Sequence, residues 1–360
     1  MFDRRRRQAL TALAGVAAGT TAAPAVLAKP SFRWRMVTSW PKHSPGPGTT
    51  AEALAKRIEH LSDGRLAVQV FGAGELVPAL EVFDAVAGGA AEMGHSAAFF
   101  WQGKLPASAF FTAVPFGMTP GEHEAWIYHG GGQALWDELY GDFGLKPFLA
   151  GNTGPSMAGW FKRTIQGLED VAGLKVRIPG LGGEAWRRLG AVPVVVAPGE
   201  IFSALESGVV DGAEFLGPWS DLSFGLYRTA PHYYWPGFHE PNGSGECLVR
   251  RQSFEALPLE LREVVATACM AENNRALGES RWHNARALQT LVDDHGVELK
   301  ALPAEVLGAL RRTSADVLAE FEDKDPLSRR VYRAYQRALE RSMPWSERAI
   351  GALLNARRGD

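Results

Sequence analysis

The sequence predicts an α/β protein of two lobes, each built on an open β-sheet with helices packed against it. The stretch 173–215 alternates strand, helix, strand, helix and strand, which is the pattern of a parallel sheet. Residues 32–98 show a separate alternation of strands and helices, so one lobe precedes that stretch. The length of 360 residues, with 46% hydrophobic and 22% charged residues, supplies core material for about two domains.

The stretch 173–215 also predicts where a ligand would bind. Its predicted elements, in order, are a strand over 174–178, a helix from 180, a strand over 192–196, a helix over 200–208 and a strand over 209–214. Arg177 stands at the exit of the first strand and Glu214 at the end of the third. Because ligands of open α/β sheets bind outside the carboxyl ends of the strands, we expect both side chains at the site. A guanidinium in that position can grip a carboxylate.

The first lobe is predicted from short segments in which hydrophobic residues recur at the spacing of a strand or of a helix. The predicted elements are strands over 32–38 and 66–71, helices over 50–61 and 81–86, and an apolar run over 91–98. That run leads into Phe99, Phe100 and Trp101. Three successive aromatic residues at the end of a strand form either the edge of a packed core or the wall of a ligand cleft.

Two further segments are candidates for the cleft. The turn-forming cluster 151–156 contains Asn152 and Ser156, whose side chains can hydrogen-bond a small polar ligand or serve only the loop. An aromatic segment begins at Trp219 and ends at Glu240. Its aromatic density suits either a crossing that packs against both lobes or a pocket rim.

The N-terminus has the pattern of an export signal. Arginines at 4–7 precede a mild apolar span over 9–26, and small residues surround a cleavage point at 25–28. We predict a twin-arginine signal peptide over 1–28, a mature chain that starts near Lys29 and a periplasmic location. A membrane anchor is the alternative, although this Ala- and Gly-rich span is barely long enough to cross a bilayer.

The C-terminal third is predicted to be mainly helical. Helices are expected over 259–277, 282–292 and 303–321, followed by a basic amphipathic helix from 327. We predict lobe 1 over 29–150 with about 244–280, lobe 2 over 151–243 with about 281–325, and a C-terminal amphipathic helix over 326–360. This last helix is either an ordinary surface helix or a helix that binds a partner or a second copy. Cys269 is interpreted as a core residue, and whether it pairs with Cys247 stays open.

Charge and motifs exclude several functional classes. A formal net charge of −2 argues against nucleic acid or anionic lipid as a partner. No paired metal-ligand spacing such as HExxH occurs among the nine histidines. Fragments at 94–98 and 129–132 imitate a serine hydrolase, but they stand in the wrong order for that fold. The GxGxxA pattern at 180–185, with Glu200 downstream, keeps an exported nucleotide-dependent oxidoreductase as the alternative function.

Several segments together carry a family resemblance. The segments are GLKVRIP at 173–179, LGAVP at 189–193, GEIFSALE at 199–206 and GVVDGAE at 208–214. They resemble the extracytoplasmic solute receptors (DctP-type) of tripartite ATP-independent periplasmic (TRAP) transporters, and the similarity runs from Trp34 almost to the C-terminus. FGAGELVP at 71–78, YHGGG at 128–132 and GNTG at 151–154 resemble the branch that binds 2-oxo acids with a sodium ion.

The resemblance implies roles for matching positions. Arg177 would clamp the carboxylate of the ligand, and Asn152 would donate an additional hydrogen bond. Phe99 and Phe100 stand where the branch has tyrosines, which makes that wall more apolar. The fold implied is that of a two-lobe periplasmic binding protein with hinge-linked lobes and a helical C-terminal region.

The resemblance also implies a cation site. Glu214 and the backbone carbonyl of Phe215 would hold one Na⁺ or Ca²⁺ that bridges the protein and the carboxylate of the ligand. Ser156 stands where the branch has a glutamine as a third ligand to the cation. Because hard cations need several oxygen ligands, this shorter side chain leaves open whether a cation is present and which one it is.

We therefore expect a periplasmic receptor, and not an enzyme, that captures a small 2-oxo or 2-hydroxy monocarboxylic acid. It would deliver the acid to the small and large membrane subunits of a sodium-driven TRAP permease, without an organic cofactor or nucleic acid. A homodimer through the C-terminal helix and a non-transport sensor of the same fold stay open. The residues assigned to the substrate site are Arg177, Asn152, Ser156, Phe100, Phe99, Trp219 and Glu240.

Overall fold

The computed structural model describes residues 31–358, which form two β-sheets flanked by helices. The strands, in chain order, are β1 (Phe32–Thr38), β2 (Leu66–Phe71), β3 (Met93–Ser96), β4 (Leu145–Asn152), β5 (Gly159–Phe161), β6 (Lys175–Arg177), β7 (Val192–Val194), β8 (Gly212–Ala213), β9 (His232–Trp235), β10 (Ser244–Arg250) and β11 (Glu298–Ala301). The predicted signal peptide, 1–28, lies outside the described residues.

Helices account for most of the remaining structure. In chain order they are α1 (Pro47–Leu61), α2 (Val82–Ala87), α3 (Pro120–His129), α4 (Gly132–Gly141), α5 (Gly180–Arg188), α6 (Ile201–Glu206), α7 (Pro218–Ser223), α8 (Arg251–Glu255), α9 (Leu259–Asp293), α10 (Ala304–Ala319), α11 (Pro326–Ser346) and α12 (Ala352–Arg358). Over residues 31–358, none of these helices combines the length and the apolar character that crossing a membrane requires.

The first sheet has the strand order β2-β1-β3-β10-β4. β1 runs parallel to β2 and β3, whereas β10 is antiparallel to β3 and β4. Trp34 and Met36 are buried in the core beneath α1, where Leu54 and Ile58 also lie. The strands predicted over 32–38 and 66–71 and the helix predicted over 50–61 are confirmed.

The second sheet has the strand order β11-β9-β5-β8-β6-β7. β6 is parallel to both β7 and β8, so the predicted strand–helix–strand–helix–strand unit is confirmed. The third strand was predicted over 209–214, but β8 covers only Gly212 and Ala213. Val210 instead donates its backbone N–H to the carbonyl of Ala204 in α6, so the strand begins only after this residue.

The long helix α9 joins the two lobes. The sequence predicted two helices here, but a single helix of 35 residues runs through the region. Its first half is buried in the core of the first sheet through Leu261 and Val265, and its end is buried in the core of the second through Leu291. Gly278 lies within this helix and does not interrupt it. It is exposed, and no atom lies within 4 Å of the position that a Cβ would take. The segments 153–158 and 236–243 also pass between the two sheets.

The C-terminal helix α11 packs back on the first lobe. Val331 and Tyr335 are buried in its core, and the Tyr335 hydroxyl accepts a hydrogen bond from the backbone N–H of Met118 at 2.7 Å. On the outer face Arg330 forms an exposed ion pair with Glu138. In the core below the first sheet, Cys247 and Cys269 are both buried and both free.

Candidate functional site

A cavity lies between the two lobes, with about 520 Å³ of empty space when the part open to solvent is included. Strands of both sheets end at it, as expected for an open α/β sheet. Its lining combines aromatic walls, glycines of the crossing segments and a few polar side chains. The lining residues used below are Trp40, Phe99, Phe100, Asn152, Arg177, Phe215, Glu240 and Ser244.

Arg177 is the cationic centre of the cavity. Only 2% of the residue is exposed, and it is the one Lys or Arg among the described residues that line the cavity. Its Nη1 donates to Oε1 of Glu214 at 2.6 Å and to the backbone carbonyl of Glu214 at 2.8 Å, and its Nε donates to the carbonyl of Val196 at 3.4 Å. Burial lowers the pKa of Arg177, while the carboxylate of Glu214 acts in the opposite direction. Nη2 has no hydrogen-bond partner among residues 31–358, so this edge of the guanidinium can receive a carboxylate oxygen.

Glu214 lies behind Arg177 and not on the cavity lining. It is fully buried, and its second oxygen, Oε2, lies 3.0 Å from Nε2 of His239. His239, Glu214 and Glu240 place one potential ligand atom each within 4.8 Å of one another. Sequence reasoning did not assign His239 a role, because it reaches Glu214 from the crossing 236–243, 25 residues further along the chain.

Buried carboxyl groups outnumber the single buried guanidinium here. Burial raises the pKa of Glu240 well above its ordinary value, and the nearby carboxylate of Glu214 raises it further. Burial also raises the pKa of Asp221 to about 7, despite hydrogen bonds from Tyr233 and Trp160 that favour its charged form. One guanidinium therefore faces three carboxyl groups. An organic anion added to this set would be repelled unless a cation or a proton accompanies it.

Ser156 favours an accompanying cation over an accompanying proton. It is buried, its backbone N–H donates to the carbonyl of Glu240 at 3.0 Å, and its hydroxyl lies beside the carboxyl group of Glu240, where it favours the charged form. The oxygen atoms of Ser156, Glu214 and Glu240 form a donor set of the kind that Na⁺ and Ca²⁺ prefer. The residues present thus fit a hard cation.

Asn152 is held on three sides at the end of β4. Its Nδ2 donates to Oδ1 of Asn242 at 2.8 Å and to Oγ of Ser244 at 3.3 Å. Its Oδ1 accepts from the backbone N–H of Gly154 at 2.8 Å. Both amide hydrogens are in use, so a ligand oxygen can take one of them only by displacing a partner. The bond to Ser244 is the longer one and the weaker.

The aromatic wall follows β3. Phe99 is buried and Phe100 is partly buried, and their rings meet edge to face with 4.7 Å between centroids. Trp40 completes this wall, and its Nε1 donates to Nδ1 of His95 at 2.9 Å. Phe215 lines the cavity from the second lobe, and its ring packs on Phe224.

Two residues assigned to the substrate site, Ser156 and Trp219, are not on the cavity lining. Trp219 does not line the cavity; its ring stacks on His283 of α9, with 4.6 Å between centroids, and its backbone N–H donates to Asn284. The aromatic segment 219–240 is therefore divided: Glu240 faces the cavity, whereas Trp219 packs α7 against the long helix. The density of aromatic residues in the sequence does not distinguish a residue that lines the cavity from one that packs two helices together.

The GxGxxA pattern serves packing, which removes the physical basis of the nucleotide-binding alternative. A side chain on Gly182 would place its Cβ 2.4 Å from Cβ of His239, and one on Gly183 would place it 2.7 Å from the carbonyl of Ile178. These glycines bring α5 close to β6 and to the crossing 236–243. The space that a pyrophosphate would need beside these glycines is thus filled by His239 and the backbone of Ile178.

Comparison with known proteins identifies clear relatives. The family model described as bacterial extracellular solute-binding protein, family 7, matches residues 36–325. A monocarboxylate 2-oxoacid-binding periplasmic protein of Nostoc is 40% identical over 317 residues, which are 88% of this chain and 86% of the relative.

Solved structures agree. A TRAP transporter solute binding protein of Bordetella bronchiseptica, a mixed occupancy dimer with copurified calcium and picolinate, matches with a TM-score of 0.89 at 35% identity, over 92% of this chain and 98% of that one. A TRAP periplasmic solute binding protein of Pseudoalteromonas atlantica, with bound sodium and pyruvate, matches with a TM-score of 0.87 at 35% identity, over 90% of this chain and 98% of that one.

Proposed function

Because this chain belongs to the bacterial extracellular solute-binding proteins of family 7, we propose that it captures a small 2-oxo or 2-hydroxy monocarboxylic acid for sodium-driven uptake. It is a solute-binding protein of the TRAP type and not an enzyme. Its ligand is a monocarboxylate because the described cavity offers one guanidinium, Arg177, and no second cationic side chain for another carboxylate.

The observation that carries this proposal is the free edge of Arg177. Nη1 and Nε are held by protein acceptors, so Nη2 alone faces a ligand, in a site that excludes most water. Charge-assisted hydrogen bonds strengthen in such surroundings and are worth on the order of 1.5–3 kcal/mol each. Asn152 supplies a second hydrogen bond, and Phe99, Phe100 and Glu240 complete the walls.

A single Na⁺ or Ca²⁺ accompanies the acid. Glu214, the carbonyl of Phe215 and Ser156 would hold it, and it would supply positive charge beside the carboxylate of the ligand. The excess of buried carboxyl groups and the buried hydroxyl of Ser156 beside Glu240 support this assignment. The relatives that bind calcium with picolinate and sodium with pyruvate support it as well. When bound, the cation supplies positive charge between the acid and Glu214.

The location and partners follow from the proposed uptake. A twin-arginine signal over 1–28 directs the protein to the periplasm, where it serves the small and large membrane subunits of a TRAP permease. The lobes, 29–150 with about 244–280 and 151–243 with about 281–325, close about the crossing segments on the ligand. Trp345 and Leu353 are 73% and 64% exposed beyond the packed part of α11, which supports a homodimer through the C-terminal helix.

Titration calorimetry tests the proposal. Pyruvate and lactate should bind in sodium or calcium buffer, and binding should weaken by at least about tenfold in choline buffer with chelator. A sugar should not bind. Glu214→Gln should abolish the dependence on the cation, whereas Glu263→Gln, an exposed change on α9, should keep it. Equal affinity for the acids with and without cations in the wild-type protein would exclude the cation site, and no affinity for either acid would exclude the receptor function as stated.

A further inference from the structure

The peptide group between Phe215 and Leu216 is paired with the protein on one side only. Both residues are buried and line the cavity. The backbone N–H of Leu216 donates to Oδ1 of Asp221 at 3.3 Å. Within residues 31–358, the carbonyl of Phe215 accepts no hydrogen bond, although the residue lies outside any helix or strand. Because a buried carbonyl needs a partner, this one is available to a ligand or an ion.

The geometry of the peptide group determines where this carbonyl points. The peptide between Phe215 and Leu216 is trans, so its N–H and its carbonyl point in opposite directions. The N–H is directed at Asp221, which does not line the cavity. The carbonyl of Phe215 is therefore directed away from Asp221, toward the cavity side of the second lobe.

Asp221 is itself held in place by the core of the second lobe. It is 1% exposed, and its Oδ2 accepts from Nε1 of Trp160 at 2.9 Å and from the hydroxyl of Tyr233 at 2.7 Å. The two aromatic rings are fully buried and stacked, with 3.9 Å between their centroids. The carboxyl group thus has a fixed orientation, which leaves Oδ1 for the N–H of Leu216.

We propose that Asp221 is a positioning residue that holds the carbonyl of Phe215 toward the cation beside Glu214. The inference rests on the proposed cation site and deepens it. Na⁺ and Ca²⁺ take backbone carbonyls as ligands, but a peptide that turns over presents its N–H instead. Turning over would also bring the carbonyl of Phe215 against the carboxyl oxygen of Asp221, where two acceptors cannot pair. The N–H bond of 3.3 Å is long, so this exclusion of the carbonyl contributes to the orientation as well.

The first test observes this peptide group directly. The sequence contains two Phe–Leu pairs, at 148–149 and 215–216, so carbonyl-¹³C phenylalanine with ¹⁵N leucine gives an HNCO spectrum of two peaks. Leu149→Ile assigns the control peak by removing it. In the presence of pyruvate, Ca²⁺ should move the carbonyl signal of Phe215 downfield and move the control peak much less.

Variants of α7 show whether Asp221 is responsible. Asp221→Ala should move the amide signal of Leu216 even without ligand, because the N–H loses its acceptor, and it should abolish the response of the Phe215 carbonyl to Ca²⁺. Ser223→Ala, an exposed change on the same helix, should keep both signals as in the wild-type protein. A Phe215 carbonyl that ignores Ca²⁺ in the wild-type protein, while calorimetry shows Ca²⁺ binding, would overturn the proposal.

The second test compares the affinity for pyruvate in calcium buffer with that in choline buffer with chelator. This ratio should be at least about tenfold in the wild-type protein, and Asp221→Asn should lower it by at least about threefold while leaving the affinity in choline unchanged. The amide oxygen of the variant is drawn to the two donors on Trp160 and Tyr233, so its NH₂ group faces the N–H of Leu216.

A double variant provides the rescue. In Trp160→Phe/Asp221→Asn one competing donor is gone, so the amide oxygen can return to the N–H of Leu216 while the hydroxyl of Tyr233 accepts from the NH₂ group. The ratio between the two buffers should recover most of its wild-type value. A merely structural role would weaken pyruvate binding in both buffers, most of all in the double variant, and that result would overturn the proposal.

The proposed function and this inference fail in different ways. Absence of pyruvate binding by the wild-type protein would exclude the proposed function. Ca²⁺ alone should then still move the carbonyl signal of Phe215, and an unmoved signal would overturn the role of Asp221. If the Asp221 variants do not fold, the response of the wild-type carbonyl decides in the same way.

Discussion

Arg177 and Glu214 are joined by three hydrogen bonds across neighbouring strands. Nη1 of Arg177 donates to the side chain and the backbone carbonyl of Glu214, at 2.6 and 2.8 Å, and the backbone N–H of Glu214 donates to the carbonyl of Arg177 at 3.0 Å. The ligand therefore meets a guanidinium that is already half engaged with a carboxylate. A cation beside Glu214 would balance the charge that the acid brings.

Arg177→Met should affect both stability and binding. The buried carboxylate of Glu214 would lose its main positive partner, which costs about 3–5 kcal/mol in the free energy of unfolding. Acid binding should weaken by at least about tenfold, or about 1.4 kcal/mol. The double variant Arg177→Met/Glu214→Gln should recover most of the stability and none of the affinity, as urea unfolding and calorimetry can show. Recovery of affinity in the double variant would contradict the role of Arg177.

The central pair could be predicted from the sequence because both residues end strands of one strand–helix–strand–helix–strand unit. Once β6 and β8 are adjacent and parallel, Arg177 and Glu214 meet. His239 could not be predicted, since it reaches Glu214 through a crossing between lobes that no local periodicity describes. Long-range packing also decides that Trp219 faces α9 and not the cavity.

The prediction of two helices where α9 runs unbroken has a local cause. Gly278 weakens the helical pattern in sequence, yet it lies on an exposed face where the cost of a helical glycine is only about 1 kcal/mol. Packing of α9 against both lobes exceeds that cost. Local propensity was therefore a poor guide to the length of the element that joins the lobes.

Gly182→Ala should disturb the site through His239. The added Cβ would lie 2.4 Å from Cβ of His239, so α5 or His239 must shift, at about 1–3 kcal/mol in stability. A displaced His239 loses its contact with Glu214, and cation-dependent binding should weaken. Gly278→Ala is the matched control: no atom lies within 4 Å of the new Cβ, and thermal unfolding should show a gain of about 1 kcal/mol. Unchanged binding by Gly182→Ala would argue against a role for His239 at the site.

Trp345→Ser should weaken the proposed homodimer. Trp345 is 73% exposed on the C-terminal helix of a single chain, and its burial against a second copy would remove a large apolar surface from water. Light scattering coupled to gel filtration should show a shift toward monomer at low concentration. Trp282→Ser, which removes an equally exposed tryptophan from α9, should leave the mass unchanged. A monomeric wild-type protein would contradict the dimer.

Glu246→Gln should flatten the dependence of stability on pH. Glu246 lies fully buried on β10, where Trp101 donates to it at 2.5 Å and Tyr140 at 2.8 Å. Burial nevertheless raises its pKa from 4.5 to about 7. The folded protein then binds more protons than the unfolded chain between these values, so the stability that Glu246 contributes when protonated is lost as pH rises from about 4.5 past 7.

The shift of the Glu246 pKa from 4.5 to about 7 corresponds to about 3 kcal/mol between pH 4.5 and pH 8. Urea unfolding at both pH values should therefore show Glu246→Gln gaining on the wild-type protein by about that amount as the pH rises, because glutamine accepts from Trp101 without a charge. The exposed change Glu263→Gln should leave the difference between the two pH values nearly as it is in the wild-type protein. If the free energies of unfolding of the wild-type protein and Glu246→Gln changed with pH in parallel, Glu246 would titrate near its ordinary pKa. The hydrogen bonds from Trp101 and Tyr140 would then fully offset the cost of burying its charge.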